Sequence, residues 1–349
     1  MTAPALLDPR HVTLDLTYRC PLNCDFCFMA KSSTARRGPE LSRGHLGRLV
    51  DSLSAAPRRF YLSGGEPLLR PDLPWLVKYI KSRGHYCRVI TSLSCGAGAL
   101  PALLAAGLDE LTVSVHGTPA IHDKCVGRPG AFAAIAAACA AVNSSPFRKR
   151  SKLVFWCTVN KASHAALHAV YKALAALKPD EIAFHHLDFI TAGDLARTNK
   201  VLPGRGGPRL KVSQDLAAGI SPGRLYAQIL KIKGERDPRV RFDLELSRAE
   251  MKRWYDPRAK LERNGTCLGL WNGLWIDPSG NLITCQPLGC RLGSALKENC
   301  LEAFNGPAYG RFRAALAERG GFLPTCSRCG RAAYMSGRPA GAPKLKPRP

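Results

Sequence analysis

Apolar and polar residues alternate in several short segments of this chain, and a stretch with helical spacing follows almost every one of them. The first segment, His11–Thr17, reads HVTLDLT and predicts a β-strand. Further strands are predicted at 59–62, 86–91, 110–115, 153–160 and 181–189, with helices at 41–53, 73–82, 100–106, 131–142 and 162–177. Such alternation favours a parallel sheet in an α/β fold.

The second half of the chain loses this alternation. Residues 198–213 are rich in Pro, Gly, Lys and Arg and predict a mobile loop, whereas 222–232 and 247–255 predict helices. Residues 274–276 and 281–284 flank Asp-Pro-Ser-Gly, which predicts a β-hairpin. We therefore divide the chain into a core at 1–190, connecting loops and helices at 191–265, a small cysteine-rich domain at 266–335 and a disordered basic tail at 336–349.

Composition narrows the class of protein. The 349 residues include no apolar run long enough to predict a membrane span. No secretory signal is predicted either, so a reducing cytoplasm is the expected location. In that compartment the 14 cysteines are expected to bind metal where they cluster. The net charge of +25 raises the hypothesis of a nucleic-acid partner. The basic residues are spread along the chain without an aromatic-rich RNA-binding motif, so this hypothesis is the weaker one.

Three cysteines follow the first predicted strand. Cys20, Cys24 and Cys27 stand in a C-x3-C-x2-C spacing, and three thiolates on one loop can hold three irons of a 4Fe–4S cube. The fourth iron would stay open, much as an open position makes a zinc site catalytic. A zinc knuckle and a disulfide cluster are the alternatives at this point.

This spacing, with Phe26 before the third cysteine, resembles the signature of the radical S-adenosylmethionine (SAM) superfamily. The resemblance implies that SAM binds the open iron and that one electron cleaves it to methionine and a 5′-deoxyadenosyl radical. It also implies a partial six-stranded (β/α)6 barrel with the cluster loop after the first strand.

Further residues carry the resemblance to the SAM-binding side of that family. Gly64-Gly65-Glu66-Pro67 resembles the motif that contacts the amino group of SAM, and Ser92 stands where the family often has an asparagine. Ser114 and Arg128 are expected near the SAM carboxylate, although His116 replaces the more usual aspartate. The SAM-binding residues implied in this way are Phe26, Gly64, Gly65, Glu66, Pro67, Ser92, Ser114, Arg128 and Thr158.

A second cysteine set follows in the C-terminal part. Cys267, Cys285, Cys326 and Cys329 resemble the half-size version of the SPASM domain, called twitch, which implies one auxiliary 4Fe–4S cluster. A four-cysteine zinc site is the rival interpretation. Two spare cysteines, Cys290 and Cys300, could substitute as ligands.

Two adjacent histidines lie in the middle of the sixth predicted strand. His185 and His186 point to opposite faces of a strand. We expect one to be solvated and the other to be a hydrogen-bonded core histidine, and the alternative is that one faces the substrate.

The resulting hypothesis is a two-cluster enzyme that oxidises or cross-links a peptide, a protein or a small metabolite. An electron donor such as flavodoxin or ferredoxin would serve it. One alternative is an RNA-modifying radical SAM enzyme, which predicts tight, salt-sensitive RNA binding. The other is a non-enzymatic zinc or iron–sulfur binding protein, which predicts no SAM cleavage.

Overall fold

Seven parallel strands lie side by side in chain order. The computed structural model describes residues 6–27, 39–202, 211–263 and 265–331, with the backbone of 336 and 337. The strands are β1 His11–Thr17, β2 Arg59–Gly64, β3 Tyr86–Thr91, β4 Glu110–Ser114, β5 Lys152–Thr158, β6 Glu181–His185 and β7 Val240–Phe242. Each pairs in parallel with the next, which confirms the predicted α/β class.

Helices cover one face of this sheet. They are α1 Arg43–Ser52, α2 Leu73–Ser82, α3 Leu100–Ala105, α4 Pro119–Val126, α5 Ala131–Asn143, α6 Leu167–Ala175, α7 Ala192–Val201, α8 Pro222–Gly234 and α9 Arg248–Tyr255. Alternate strand residues such as Phe60, Val89 and Phe155 are fully buried in one core with the helices. The intervening residues carry polar side chains to the opposite face, where Arg88 pairs with Glu110 at 2.8 Å.

The structure differs from the predicted elements in several places. Strand β6 ends at His185 instead of 189, and α6 begins at Leu167 after a short 3-10 turn. Helices α4 and α7 and strand β7 were not predicted from the sequence. Thr198 to Val201, expected in a mobile loop, complete α7, and residues 203–210 lie outside the described part of the chain.

The C-terminal segment continues the same sheet. It contains β8 Thr266–Cys267, α10 Gly269–Asn272, β9 Gly273–Ile276, β10 Asn281–Ile283, β11 Arg291–Ser294, α11 Cys300–Asn305, α12 Pro307–Ala317 and β12 Ser336–Gly337. The predicted hairpin is β9–β10, and its turn is held by the Asp277 carboxylate, which accepts from the N–H groups of Ser279 and Asn281. Strand β9 also pairs in parallel with β1, placing Gly273 opposite His11.

The tail predicted to be disordered from residue 336 is paired at its start. Ser336 and Gly337 form β12 against β8. Residues 338–349 lie outside the described part of the chain.

The described helices were compared with the dimensions of a membrane span. Over these residues no single helix is long and apolar enough to cross a membrane. Taken together, α4 and α5 reach the required length and composition, but they are bent by 114° at the break between them.

Candidate functional site

A cavity opens where the parallel strands β1 to β6 end. Parallel α/β folds place their chemistry at this carboxyl edge. Nine of the residues predicted as cluster or SAM ligands line it, namely Cys20, Cys24, Phe26, Cys27, Gly64, Gly65, Ser92, Ser114 and Thr158. The structure thus brings together segments that lie up to 138 positions apart in the sequence.

The cysteine loop is fastened to the end of helix α4. The N–H groups of Asn23 and Asp25 donate to the carbonyls of Val126 and Cys125, and the N–H of Cys27 turns back to the carbonyl of Cys24. Phe26 packs edge-on against His116, with ring centres 4.7 Å apart. Helix α4 therefore supports the loop that presents the three thiols.

Two of the three thiols, those of Cys20 and Cys24, lie where the fold opposes their ionisation. Burial, the largest cause, raises the pKa of Cys20 to about 11 and that of Cys24 to about 12, and the nearby Cys27 adds to both shifts. A positively charged iron cluster would stabilise the three thiolates that the fold crowds together, because metal ligands bind deprotonated. The residues present therefore fit an iron–sulfur cluster.

Two glycines allow the loop after β2 to close against the loop after β1. A Cβ on Gly64, whose φ is +121°, would lie 2.3 Å from the carbonyl oxygen of Thr17, and one on Gly65 would lie 2.2 Å from that of Arg19. The N–H of Gly65 donates to Thr17 over 2.7 Å. Glycine is required at both positions because any side chain would separate the two strand ends.

Glu66 lies behind the cavity wall and not in it. Its carboxylate is fully buried and accepts from the Thr91 hydroxyl at 2.6 Å and from the Ser92 N–H at 2.9 Å. It also accepts from the Ser92 hydroxyl and from the N–H of Leu68. A carboxylate engaged in this way braces the end of β3, so the geometry does not give it the direct contact with SAM that was predicted.

Two other predicted SAM residues also lie outside the cavity lining. Pro67 is buried and begins a 3-10 turn after Glu66. Arg128 is exposed on the turn between α4 and α5, and its N–H donates to the carbonyl of Asp123. The sequence resemblance located the segments correctly but could not show which side chains their local turns would aim at the cavity.

The far side of the cavity is formed by residues that the sequence did not assign to the site. Trp156 precedes Thr158 by two positions and faces the same side of β5, a spacing that the strand period could have revealed. Both His185 and His186 line the cavity; His186 is the expected buried, hydrogen-bonded histidine, bound to the Tyr255 hydroxyl, whereas His185 is paired with Asp243 and mostly buried instead of solvated. The remaining wall includes Asp188, Gln286, Gly330 and Arg331.

The second cysteine set lines an adjacent, mostly apolar cavity. Cys267, Cys285, Cys326 and Cys329 all face it. Burial raises the pKa of Cys285 to about 12, and the neighbouring cysteines add to the shift. Cys290 and Cys300 are buried elsewhere and do not line this cavity.

Arg331 joins the two cavities, since it lines both. Within the described residues, no three His, Cys, Asp or Glu side chains converge on a position for a single metal ion. The four thiols around one dry space nonetheless fit a cluster held by four cysteines.

An α/β sheet with three crowded thiols at its carboxyl edge and four more beside it defines an enzyme built around iron–sulfur clusters. Comparison with protein-family models gives the family: residues 14–162 match the radical SAM superfamily, and residues 267–330 match the SPASM iron–sulfur cluster-binding domain. The chain belongs to the radical SAM superfamily and carries a C-terminal SPASM domain. Its cofactors therefore include a 4Fe–4S cluster and SAM, as predicted, and the SPASM domain implies auxiliary iron–sulfur clusters, of which the sequence predicted one.

Curated relatives point the same way. A PqqA peptide cyclase of Ruegeria pomeroyi is 30% identical over 82% of this chain and 69% of its own length. A PqqA peptide cyclase of Xanthomonas oryzae is 38% identical, but that match covers 36% of this chain and 34% of the relative. The prediction of a radical SAM enzyme is confirmed over the RNA-modifying and non-enzymatic alternatives.

Solved structures share the fold at low sequence identity. Streptococcus suis SuiB bound to the precursor peptide SuiA has a TM-score of 0.61 at 14% identity, covering 92% of this chain and 72% of SuiB. The enzyme anSMEcpe, with bound AdoMet and the Cp18Cys peptide, has a TM-score of 0.60 at 14% identity, covering 94% and 88%. These likenesses concern the fold alone.

Proposed function

We propose that this radical SAM enzyme removes hydrogen from a peptide and thereby oxidises or cross-links it. The observation that carries the proposal is the cavity between the two thiol sets, which has the Cys20–Cys27 loop on one side and Arg331 on the other. A substrate held there would lie between the site of SAM cleavage and an electron acceptor. The named activity of the PqqA relatives and the peptides bound in the SuiB and anSMEcpe structures support a peptide as this substrate.

In this proposal Cys20, Cys24 and Cys27 hold the SAM-cleaving cluster. When bound, this cluster and SAM supply the group that abstracts a hydrogen atom from the substrate. The backbone at Gly64 and Gly65 lets SAM approach closely. The hydroxyl groups of Ser92, Ser114 and Thr158, together with Phe26, then hold SAM against the wall of the cavity.

Cys267, Cys285, Cys326 and Cys329 hold an auxiliary cluster in the proposal. The mostly apolar cavity that these thiols share excludes water from the cluster, and such burial is one of the factors that set its reduction potential. Arg331 extends from this cavity into the larger one and adds positive charge at their boundary. We further propose a flavodoxin or a ferredoxin as the electron donor and a reducing cytoplasm as the location, since all 14 cysteines are free thiols in the structure.

The experiment is anaerobic reconstitution, followed by measurement of iron, of 5′-deoxyadenosine and of peptide mass in a pool of synthetic peptides with SAM and dithionite. We expect roughly eight irons per chain, four for each cluster, and a peptide that has lost two hydrogens. Cys27→Ala should abolish 5′-deoxyadenosine formation, whereas Cys285→Ala should still form it but give no peptide product.

Two results would contradict the proposal. A chain that loads iron but forms no 5′-deoxyadenosine would not be an active SAM-cleaving enzyme. A Cys285→Ala variant that makes as much peptide product as the parent would leave the second thiol set a structural role only.

A further inference from the structure

The part of the cavity wall that β6 contributes holds a histidine–carboxylate pair. Nδ1 of His185 contacts the carboxylate of Asp243, whose side chain is only 2% exposed. Nε2 of the same ring is buried and has no hydrogen-bond partner among the described residues. His185 lines the cavity, so a bound substrate would contact its ring, and the unsatisfied Nε2 itself is covered by neighbouring atoms.

Strand β7 places the carboxylate. The N–H of Asp243 donates to the carbonyl of Phe184 over 3.1 Å, so the residue after β7 lies beside the last residue of β6. Arg241 contacts the other oxygen of the Asp243 carboxylate. The carboxylate is thereby held from both sides and has little freedom to leave the imidazole.

The pairing fixes which nitrogen of His185 carries the proton. A carboxylate only accepts hydrogen bonds, so Nδ1 must donate to it. In the neutral ring Nε2 is then a bare lone pair. Trp156 packs edge-on against the ring with centres 4.9 Å apart and limits its rotation.

The next residue, His186, carries its hydrogen on the other ring nitrogen. Nδ1 of His186 lies 2.9 Å from the hydroxyl of Tyr255, and that hydroxyl accepts from the backbone of Leu187, so it donates its own proton to Nδ1. Nε2 of His186 consequently carries hydrogen. Of these two adjacent histidines, only His185 can take up a proton at Nε2, and the third histidine of the cavity wall, His116, accepts from the N–H of Thr158 at its Nδ1.

The position of His185 also relates it to the proposed SAM site. It stands opposite Thr158 in the register of β5 and β6. The ionisable groups that face its ring are Asp243 and Arg241 at the end of β7, His116 after β4, and His186 and Asp188 after β6.

We propose that His185, oriented by Asp243, is the base that removes a proton from the peptide after hydrogen-atom abstraction. This inference rests on the proposed function. Loss of two hydrogens from a peptide requires that one leaves as an atom to the deoxyadenosyl group. The second hydrogen must leave as a proton and an electron. The auxiliary cluster would accept the electron. That proton forms a bond to Nε2 of His185 as its bond to the substrate breaks.

A matched control exists in the same chain. His168 also pairs with a carboxylate, with its Nε2 2.6 Å from Glu235, but this pair lies at the surface and does not line the cavity. Its geometry requires the opposite tautomer, with hydrogen on Nε2. His168→Gln removes a histidine–carboxylate pair without touching the cavity.

The first test is the tautomer of the two rings in the holoenzyme labelled with 15N-histidine, read from long-range 1H–15N spectra. We expect hydrogen on Nδ1 of His185 and on Nε2 of His168, and loss of the fixed His185 tautomer in Asp243→Asn. Hydrogen on Nε2 of His185 at neutral pH would overturn the proposal.

The second test compares His185→Gln with His168→Gln on the peptide pool. We expect His185→Gln to make peptide product roughly 100-fold more slowly per 5′-deoxyadenosine formed, the usual cost of losing a general base, and His168→Gln to match the parent. Product formation by His185→Gln close to that of the parent would overturn the base while leaving the proposed function intact. Loss of SAM binding in His185→Gln would also overturn the proposal that His185 is the base, because the residue would then contact SAM.

Failure of the proposed peptide-modifying function would give a different result from failure of the His185 proposal. If the parent itself yields no peptide product, the proposed function fails, and the His185 tautomer still decides whether Nε2 is a free base.

Discussion

At the scale of single residues, Glu66 shows how a residue of a binding motif can act through its neighbours. Its buried carboxylate accepts from Thr91, Ser92 and Leu68, and Ser92 in turn lines the cavity. Hydrogen bonds to a charged group stabilise more than neutral ones, and a buried donor left without its acceptor is costly. The negative charge of Glu66 therefore holds the end of β3 in the position that the cavity requires.

We expect Glu66→Gln to lower the free energy of unfolding by about 2 kcal/mol and to weaken SAM binding, because the amide would place donors against the donors of Ser92 and Thr91. Urea unfolding and equilibrium dialysis with SAM measure the two effects. Glu110→Gln is the control, since Glu110 is also buried and accepts from Tyr86 and Thr112 but lies at the opposite end of the strands. Equal SAM affinity in both variants would show that Glu66 has no specific part in the cavity.

At the scale of elements, a buried arginine lies within the second C-x2-C and makes several of the contacts that join this segment to the rest of the molecule. Arg328 pairs with Asp194 of α7 at 3.0 Å, with both side chains at most 2% exposed. Its guanidinium also donates to the carbonyls of Trp254, Asp256 and Ala259 at the end of α9. Arg328 therefore positions the cysteines on either side of it, Cys326 and Cys329, against two helices.

Arg328→Met should lower the stability of the protein by about 3 kcal/mol, since it removes one of the two arginines that pair with the buried Asp194 and leaves three carbonyls without their donor. We expect iron content to fall by about half, to the four irons of one cluster, while 5′-deoxyadenosine is still formed. Arg313→Met is the control, because Arg313 is buried in the same C-terminal segment but donates to Leu270 and does not contact α7 or α9. Full iron loading in Arg328→Met would show that the thiols are positioned without it.

The sequence predicted the strands β1 to β6 and the hairpin because their alternation is long and their turns carry Gly, Pro and Asp. It missed β7, which has only three residues between charged neighbours and is defined by its pairing with β6. Because β7 was not predicted, the pairing of Asp243 with His185 could not be inferred from the sequence. Motif spacing found the thiols, whereas Arg331 and Gln286 reach the cavity only through the tertiary fold.

At the scale of the whole molecule, several buried histidines make stability depend on pH. Burial lowers the pKa of His122 and of His186 to about 4, against an ordinary value of 6.5. Between these values the unfolded chain binds protons that the folded chain does not. The burial of these neutral rings therefore costs no stability above pH 6.5. The free energy of unfolding decreases as the pH falls from 6.5 towards 4.

We expect His122→Asn to be less sensitive to acid than the parent. The difference in unfolding free energy between parent and variant should shrink by about 2 kcal/mol from pH 7.5 to pH 5, because only the parent must keep this ring neutral. Urea unfolding of both holoenzymes under anaerobic conditions measures this difference, and any acid sensitivity of the clusters is common to both. A difference that stays constant over this range would contradict the burial effect.

The pairing of β1 with β9 has a consequence for synthesis on the ribosome. The two strands are about 260 residues apart in the sequence. At a translation rate of 5–20 residues per second, the outer edge of β1 stays unpaired for roughly 13 to 50 seconds before β9 is synthesised. Throughout that interval the strand that leads into the cysteine loop has unpaired amide groups, which can template pairing with another nascent chain. The C-terminal domain thus acts as the closing edge of the catalytic sheet, and a chain released before residue 273 would expose the strand that leads into the loop of the first thiols.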